Sequence, residues 1–228
     1  MKVEVWSDIV CPFCYIGKRK FEKALEDFAG KDKVEIEWKS FQLDPSTQSE
    51  PGKSVYEYLA ERKGMSLENS KEMHQQVTQM ANEVGLDYQF DKAVVANTFD
   101  AHRLIHFAAK FDKQGEAKER LLAAYFIEGK NIADLDTLVG LAKELGLDES
   151  EARAALAQKT YSDEVKKDIQ EAQQLGVRGV PFFVFNRKFA VSGAQSPEVF
   201  AGALSKAFAE ENKLNIIEGD SCSVDGNC

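Results

Sequence analysis

Cysteine is scarce in this chain: four among 228 residues, too few for a disulfide scaffold to stand in for a hydrophobic core. Positive charge is in short supply as well. The 29 Lys and Arg are outnumbered by 38 Asp and Glu, and the net charge of −9 works against nucleic acid or an anionic membrane as partner. Long apolar runs are missing. Met1-Lys2-Val3-Glu4-Val5 does not open a signal peptide, and no later segment stays apolar long enough to span a bilayer. A cytoplasmic address is therefore expected, and in that reducing compartment cysteines serve redox catalysis or metal binding. No repeat of fixed period is visible. Against these absences stands an apolar share of 43%, enough for one large domain or a domain carrying an insertion.

Two of the four cysteines sit together as Cys11-Pro12-Phe13-Cys14, where a short apolar strand, Val3-Glu4-Val5-Trp6, hands over to a helix. Pro12 suits a first helical turn, in which its missing N–H would have no partner. Ile16, Phe21, Ala24, Leu25 and Phe28 follow at helical spacing, and Gly30 is the expected stop. Val34, Ile36, Trp38 and Ser40 then alternate with polar residues, as in a half-buried strand, and complete a βαβ unit. Residues 44–54 are polar and turn-rich. After them no convincing strand appears for over a hundred residues, and helical patterns succeed one another at 54–63, 66–85, 98–113, 116–128, 134–145 and 149–158. Gly64, Gly85, Gly115 and Gly146 read as stops, Ser66 and Ser150 as starts.

From Ser162 a helix runs to Gly176. Val177-Arg178-Gly179-Val180-Pro181 leads into the strand Phe182-Phe183-Val184-Phe185, an Asn186-Arg187 turn, a second strand Phe189-Ala190-Val191 and a last helix capped at Ser196. The order β-α-β, helices, α, β-β-α is an α/β thioredoxin arrangement with a large all-helical domain inserted after the first βαβ unit. It assigns 1–44 and 162–212 to a discontinuous thioredoxin-like domain, 45–161 to the insertion, and 213–228 to a flexible tail carrying Cys222 and Cys228.

Disulfide exchange needs a thiolate and a second thiol to resolve the mixed disulfide. At a helix N-terminus the unpaired N–H groups favour the anion, which makes Cys11 the expected nucleophile and Cys14, one turn on and less exposed, the expected resolver. Phe13 adds no charge to the pair. The competing possibility is a zinc site joining this pair to Cys222 and Cys228, but structural zinc sites favour short ligand spacing, and these pairs lie at opposite ends of the chain. A proline opening a buried strand, Pro181, is either an edge or turn residue or a cis-proline facing the thiols. In the second case it leaves the Val180 backbone free to pair with an extended peptide. His102 and His106 are four apart on one helix but lack a third ligand, so packing roles are expected and no metal site is assigned. Phe13, Trp6 and Tyr15 either line an apolar groove or fill core; Asp8 and Glu4 are the alternative candidates for proton transfer, and Asp8 is otherwise a turn or cap residue.

Together, Asp8-Ile9-Val10-Cys11-Pro12-Phe13-Cys14-Tyr15-Ile16-Gly17, Ala101-His102-Arg103-Leu104 and Gly176-Val177-Arg178-Gly179-Val180-Pro181-Phe182-Phe183 resemble the DsbA-like thioredoxin family, in particular its FrnE branch. The resemblance covers about residues 1–210. It implies a cytoplasmic oxidoreductase or isomerase of protein disulfides, with Pro181 in cis and with Phe13, Val180 and Pro181 at the substrate groove. No cofactor is expected, with glutathione as the one small redox partner to consider. FrnE-like proteins can carry a second cysteine pair near the C-terminus, and Cys222 and Cys228 have that flavour: a second redox couple, a passive staple or two free thiols. Glutathione-dependent isomerases of 2-hydroxychromene-2-carboxylate and kappa-class glutathione transferases share the layout but usually carry serine at the position of Cys11. Such an isomerase or transferase, and a non-catalytic zinc-binding or holdase module, are the alternatives.

Overall fold

The computed structural model describes residues 1–49 and 52–211, so Cys222 and Cys228 lie outside the described residues. Strand β1 (Lys2–Ser7) is followed by α1 (Pro12–Glu26), a 3-10 turn (Lys31–Lys33) and β2 (Glu35–Ser40). Six helices follow: α2 (Val55–Lys63), α3 (Leu67–Asn82), α4 (Phe99–Ala109), α5 (Gln114–Phe126), α6 (Leu135–Glu144) and α7 (Glu149–Ala157). The chain closes with α8 (Ser162–Gln174), β3 (Phe182–Phe185), β4 (Phe189–Ser192) and α9 (Pro197–Glu211). The sheet order is β2-β1-β3-β4; β1 pairs parallel with β2 and antiparallel with β3, and β3 antiparallel with β4. This is the thioredoxin fold with a helical insertion between β2 and α8.

The period-two alternation of strands explains how the sheet is covered on both faces. Val3, Val5, Phe183 and Phe185 point toward α1 and α9, where Phe21 packs against Phe183 and Phe200 with ring centroids 5.3 and 5.6 Å apart. On the opposite face Trp6 and Val184 pack with Ala172 and Val177 beneath α8, and the Trp6 indole donates to the Asp168 carbonyl at 2.9 Å. The β3–β4 turn places Asn186 and Arg187 at φ 48° and 58°, the two left-handed positions of a type I′ hairpin.

Three helix boundaries depart from the sequence pattern. Helix α1 stops at Glu26, and Gly30 instead precedes the 3-10 turn. Gly115 lies inside α5, and the left-handed residue that ends the preceding segment is Asp112 at φ 58°, a residue type whose short polar side chain tolerates that conformation. Helix α7 is capped by Asp148, whose carboxylate accepts from the Glu151 N–H, rather than by Ser150.

The insertion is tied to the sheet by side chains that imitate strand pairing. Gln114 accepts from the Trp38 N–H at 2.9 Å and donates to the Trp38 carbonyl at 3.0 Å, occupying the free edge of β2. On the α1 side, Glu119 of α5 receives Lys18 and the Tyr15 hydroxyl, each at 2.5 Å, together with Arg19. Burial opposes the Glu119 anion, but these donors outweigh it and hold its pKa at about 2, below the ordinary 4.5. A carboxylate with a lowered folded pKa adds stability above its ordinary value and loses it as pH falls toward the folded one. The expected outcome is an acid-sensitive decline in stability between about pH 4.5 and pH 2. Glu119→Gln should flatten that part of a denaturant-midpoint-versus-pH curve; a curve of unchanged slope would contradict the assignment.

Candidate active site

Cys11 is the N-cap of α1, with extended backbone at φ −87° and ψ 111°, and Cys14 lies in the first helical turn. Both are free thiols, with relative exposures of 3% and 1%. The Val180–Pro181 peptide is cis, and the Cys11 thiol donates to the Val180 carbonyl at 3.3 Å. The sequence separation of this contact is closed by Gly17. A Cβ there would lie 2.9 Å from Pro181 Cγ and 3.4 Å from Ala194, so α1 approaches the proline loop this closely only because residue 17 has no side chain.

A cavity of about 470 Å³ opens beside Cys11, walled by apolar groups that include Phe13, Leu43, Met73 and Val180. Cys11 lines it and Cys14 does not, so a molecule entering from this side meets the Cys11 sulfur first. Phe13 is 37% exposed at its rim. Helices α2 and α3 contribute much of the wall, and the Tyr88 hydroxyl of the insertion donates to the Pro12 carbonyl at 2.7 Å. Trp6 and Tyr15 are buried in core and do not line the cavity.

The two thiols titrate as a pair. Cys11 is pushed well up, first by its hydrogen bond with Cys14, then by burial and by the charge that Cys14 carries. For Cys14 burial opposes the anion, but the Cys11 thiol, the Lys118 charge and the Ser7 hydroxyl outweigh it and lower the pKa. The helix-terminus rule had put the first anion on Cys11. The structure gathers the stabilising groups around Cys14 instead, while Cys11 keeps its proton against Val180.

The neighbouring carboxylates take definite roles. Asp8 is buried and accepts from the N–H groups of Ile9 and Leu43, each at 2.8 Å, with His102 Nε2 at 3.3 Å. It is a fixed turn anchor. Burial raises its pKa, yet the His102 contact and the Leu43 N–H lower it more, so it stays ionised. Glu4 is paired with Arg187 at the opposite face of the sheet, away from the thiols. His106 Nε2 lies 3.1 Å from Ser40 Oγ and 3.0 Å from Asp168, so both histidines of α4 pack between elements. Among the described residues no group of three or more His, Cys, Asp or Glu is arranged to hold a metal ion.

The family model for the DSBA-like thioredoxin domain matches residues 2–205. The chain belongs to that family. It is a family of disulfide oxidoreductases. A curated relative, the uncharacterized protein YwbO of Bacillus subtilis (strain 168), is 34% identical over 205 residues, covering 89% of this chain and 95% of the relative. Among solved structures, a probable DsbA oxidoreductase, SCO1869 of Streptomyces coelicolor, aligns over 100% of this chain and 98% of its own at a TM-score of 0.89 and 40% identity. The cytosolic disulfide reductase DsbM of Pseudomonas aeruginosa shares the fold at a TM-score of 0.66 and 17% identity, over 92% of this chain and 100% of DsbM. Among the described residues of the DSBA-like chain no helix is long and apolar enough to cross a membrane.

One polar residue beside the thiols escaped the sequence motifs. Lys118 of α5 is 1% exposed, and its position was legible in the stripe Lys118, Leu122, Tyr125, all buried and spaced i, i+4, i+7.

Proposed function

We propose that this protein is a cytoplasmic dithiol–disulfide oxidoreductase of protein disulfides, with Cys11 as the attacking sulfur and Cys14 as the resolver. The observation that carries the reading is the position of the Cys11 sulfur, at the wall of an apolar cavity and 3.3 Å from the carbonyl of a residue followed by a cis-proline. An extended substrate that pairs with the Val180 backbone supplies an N–H to that carbonyl and replaces the Cys11 thiol as donor. The Cys11 proton then passes to Cys14 through their shared hydrogen bond, and the Cys11 thiolate is produced at the moment a disulfide stands beside it. Phe13, Leu43 and Met73 give the entrance an apolar rim suited to hydrophobic side chains flanking the substrate cystine.

The chemistry is a reversible two-electron exchange. Cys11 thiolate attacks one sulfur of the substrate disulfide, the substrate S–S bond breaks, and the departing thiolate takes up a proton. Cys14 then attacks Cys11, forming the protein disulfide and releasing the second substrate thiol. Glutathione is the small thiol proposed to recharge the pair, in keeping with a structure of DsbM with GSH. The proposed second couple, Cys222 and Cys228, stands outside the described residues. A glutathione-dependent isomerase would have no use for a resolving thiol, and the linked titration of Cys14 with Cys11 favours the dithiol reading.

The test uses the full chain. The wild type should accelerate precipitation of insulin by dithiothreitol, and Cys14→Ser should accumulate a mixed disulfide of the substrate on Cys11, seen as an intact-mass adduct lost on reduction. A Cys14→Ser protein that forms no adduct with an oxidised polypeptide substrate would overturn the reading.

A further inference from the structure

Most polar atoms in the wall of the cavity beside Cys11 already have partners. Tyr58 donates to Asp44 at 2.6 Å, and Thr47 Oγ lies 2.7 Å from the same hydroxyl. Arg62 reaches the Leu43 carbonyl at 2.9 Å, and Asp8 accepts from the Ile9 and Leu43 N–H groups. Two side chains differ. Tyr125 of α5 is 5% exposed and lines the cavity, yet its hydroxyl forms no hydrogen bond among the described residues. That hydroxyl is not sealed inside the protein, and its free surface belongs to the cavity. Burial, with the neighbouring Asp8 charge, pushes its pKa up, so it stays a phenol with a proton to donate. An unpartnered hydroxyl on so buried a ring costs free energy unless something enters to meet it.

His74 of α3 supplies the complement. Its ring stands edge-on between Tyr56 and Phe90, with centroids 4.8 and 4.6 Å away, and forms part of the same wall. Nδ1 lies 2.7 Å from the Ser70 carbonyl, an acceptor, so Nδ1 carries the hydrogen. Burial lowers the His74 pKa and keeps the ring neutral at pH 7. Nε2 is then a bare acceptor, with no donor among the described residues. His74 and Tyr125 belong to one aromatic cluster, joined through Phe90 and Phe126. The cavity thus offers one free donor, one free acceptor and a mainly apolar lining, the composition of a site that orients what it binds.

We propose that this cavity receives a tyrosine side chain of the substrate, whose hydroxyl accepts from Tyr125 and donates to His74 Nε2. The inference rests on the dithiol reading given above and names the class of disulfide that reading leaves open. A phenol hydroxyl donates and accepts at once, and its ring suits the apolar wall, which encloses about 470 Å³. Other groups fit less well. Phenylalanine and leucine leave both polar atoms unmet, and the tryptophan N–H serves His74 alone. A carboxylate would enter beside the ionised Asp8, which lines the same cavity and opposes a second negative charge. Cys11 is part of this wall too, so the bound side chain and the attacked disulfide lie on one face of the substrate. In an extended segment paired with Val180, residues two apart share a face. The tyrosine therefore stands two residues from the attacked cysteine.

The experiment compares substrates that differ only in that side chain. The reduced full chain is mixed with disulfide-linked peptides carrying tyrosine, phenylalanine or leucine two residues from the cysteine. Second-order rate constants for oxidation of the protein are measured at pH 7. The tyrosine peptide should react roughly tenfold faster than the phenylalanine peptide, the effect of one to two neutral hydrogen bonds. Tyr125→Phe deletes the hydroxyl and keeps the ring. His74→Asn keeps an N–H for the Ser70 carbonyl but places no acceptor where Nε2 stood. Each substitution should lower the tyrosine-to-phenylalanine ratio roughly threefold, and the two together should bring it to about one. Phenylalanine or leucine peptides that match the tyrosine peptide with the wild type would make the cavity a general apolar pocket and overturn the proposal. So would a tyrosine preference that survives both substitutions, or a loss shared equally by all three peptides, which would assign the two residues to structure alone. Failure of the wild type to react with any of the peptides would instead refute the dithiol reading, so the two failures are distinguishable.

Discussion

Cys11→Ser is expected to take disulfide exchange to the uncatalysed background while leaving the fold intact. The hydroxyl is nearly isosteric with the thiol and can donate to the Val180 carbonyl as the thiol does at 3.3 Å. At neutral pH, however, it offers no thiolate, and the thiolate is the attacking species. Cys14 cannot substitute, because its sulfur is not among the groups that line the cavity. Insulin reduction and alkylation of the surviving thiol measure the loss. The melting temperature should stay within about 2–4 °C of the wild type, the shift that about 1 kcal/mol produces in a chain of this size. Retained turnover in Cys11→Ser would mean that the reacting sulfur lies elsewhere.

The second large effect is on stability and lies far from the thiols. Arg103 of α4 is 2% exposed, and every nitrogen of its guanidinium donates: Nε to the Thr160 carbonyl at 2.8 Å, Nη2 to the Ala155 and Leu156 carbonyls at 2.7 and 2.8 Å, and Nη1 to Asp100 at 2.6 Å. Three of these acceptors are carbonyls at the end of α7 and in the turn that follows, where a helix leaves carbonyls without partners in its own ladder. Arg103→Met fills similar volume but removes a donor from each: the Ala155 and Leu156 carbonyls keep the N–H groups of Thr160 and Lys159, and the buried contact to the Thr160 carbonyl is lost outright. The expected cost is about 3–5 kcal/mol, the range for removing one member of a buried charged network, which corresponds to a fall in melting temperature on the order of 10 °C. Thermal and denaturant unfolding measure it; a change below about 1 kcal/mol would show that water reaches these carbonyls.

Much of the fold was legible because local and global signals agreed. The two-residue alternation around Val5 and around Trp38, the helical spacing of Phe21 and Ala24, and the Asn186-Arg187 turn each pointed to the element found. Where they conflicted, tertiary context decided. Gly115 looked like a stop, yet Gln114 beside it is bonded to the edge of β2, and that anchor starts the helix there. The C-x-x-C and the Val-Pro pair were visible as motifs, but the distribution of charge between the two sulfurs was not. It depends on Lys118 and Ser7, which come from a distant helix and from the end of β1. No spacing rule links Cys14 to a residue a hundred positions away. The cavity was invisible for the same reason: its walls come from α2, α3 and the proline loop, and only folding brings them together.

The hydrophobic core also bears on what kind of unit the insertion is. One continuous cluster of buried side chains runs from Val3, Ile16 and Phe183 of the thioredoxin frame through Trp38 to Leu104, Leu122 and Leu138 of the helical block. A stretch of chain that can be drawn as a separate body on a topology diagram is, in packing terms, the second half of a single interior. Such an insertion cannot be exchanged as a cassette, since a graft would have to bring its half of the interior and match the half left behind. Its loops and outer faces remain free to vary, while its inward face is bound to the frame as closely as one strand is to the next.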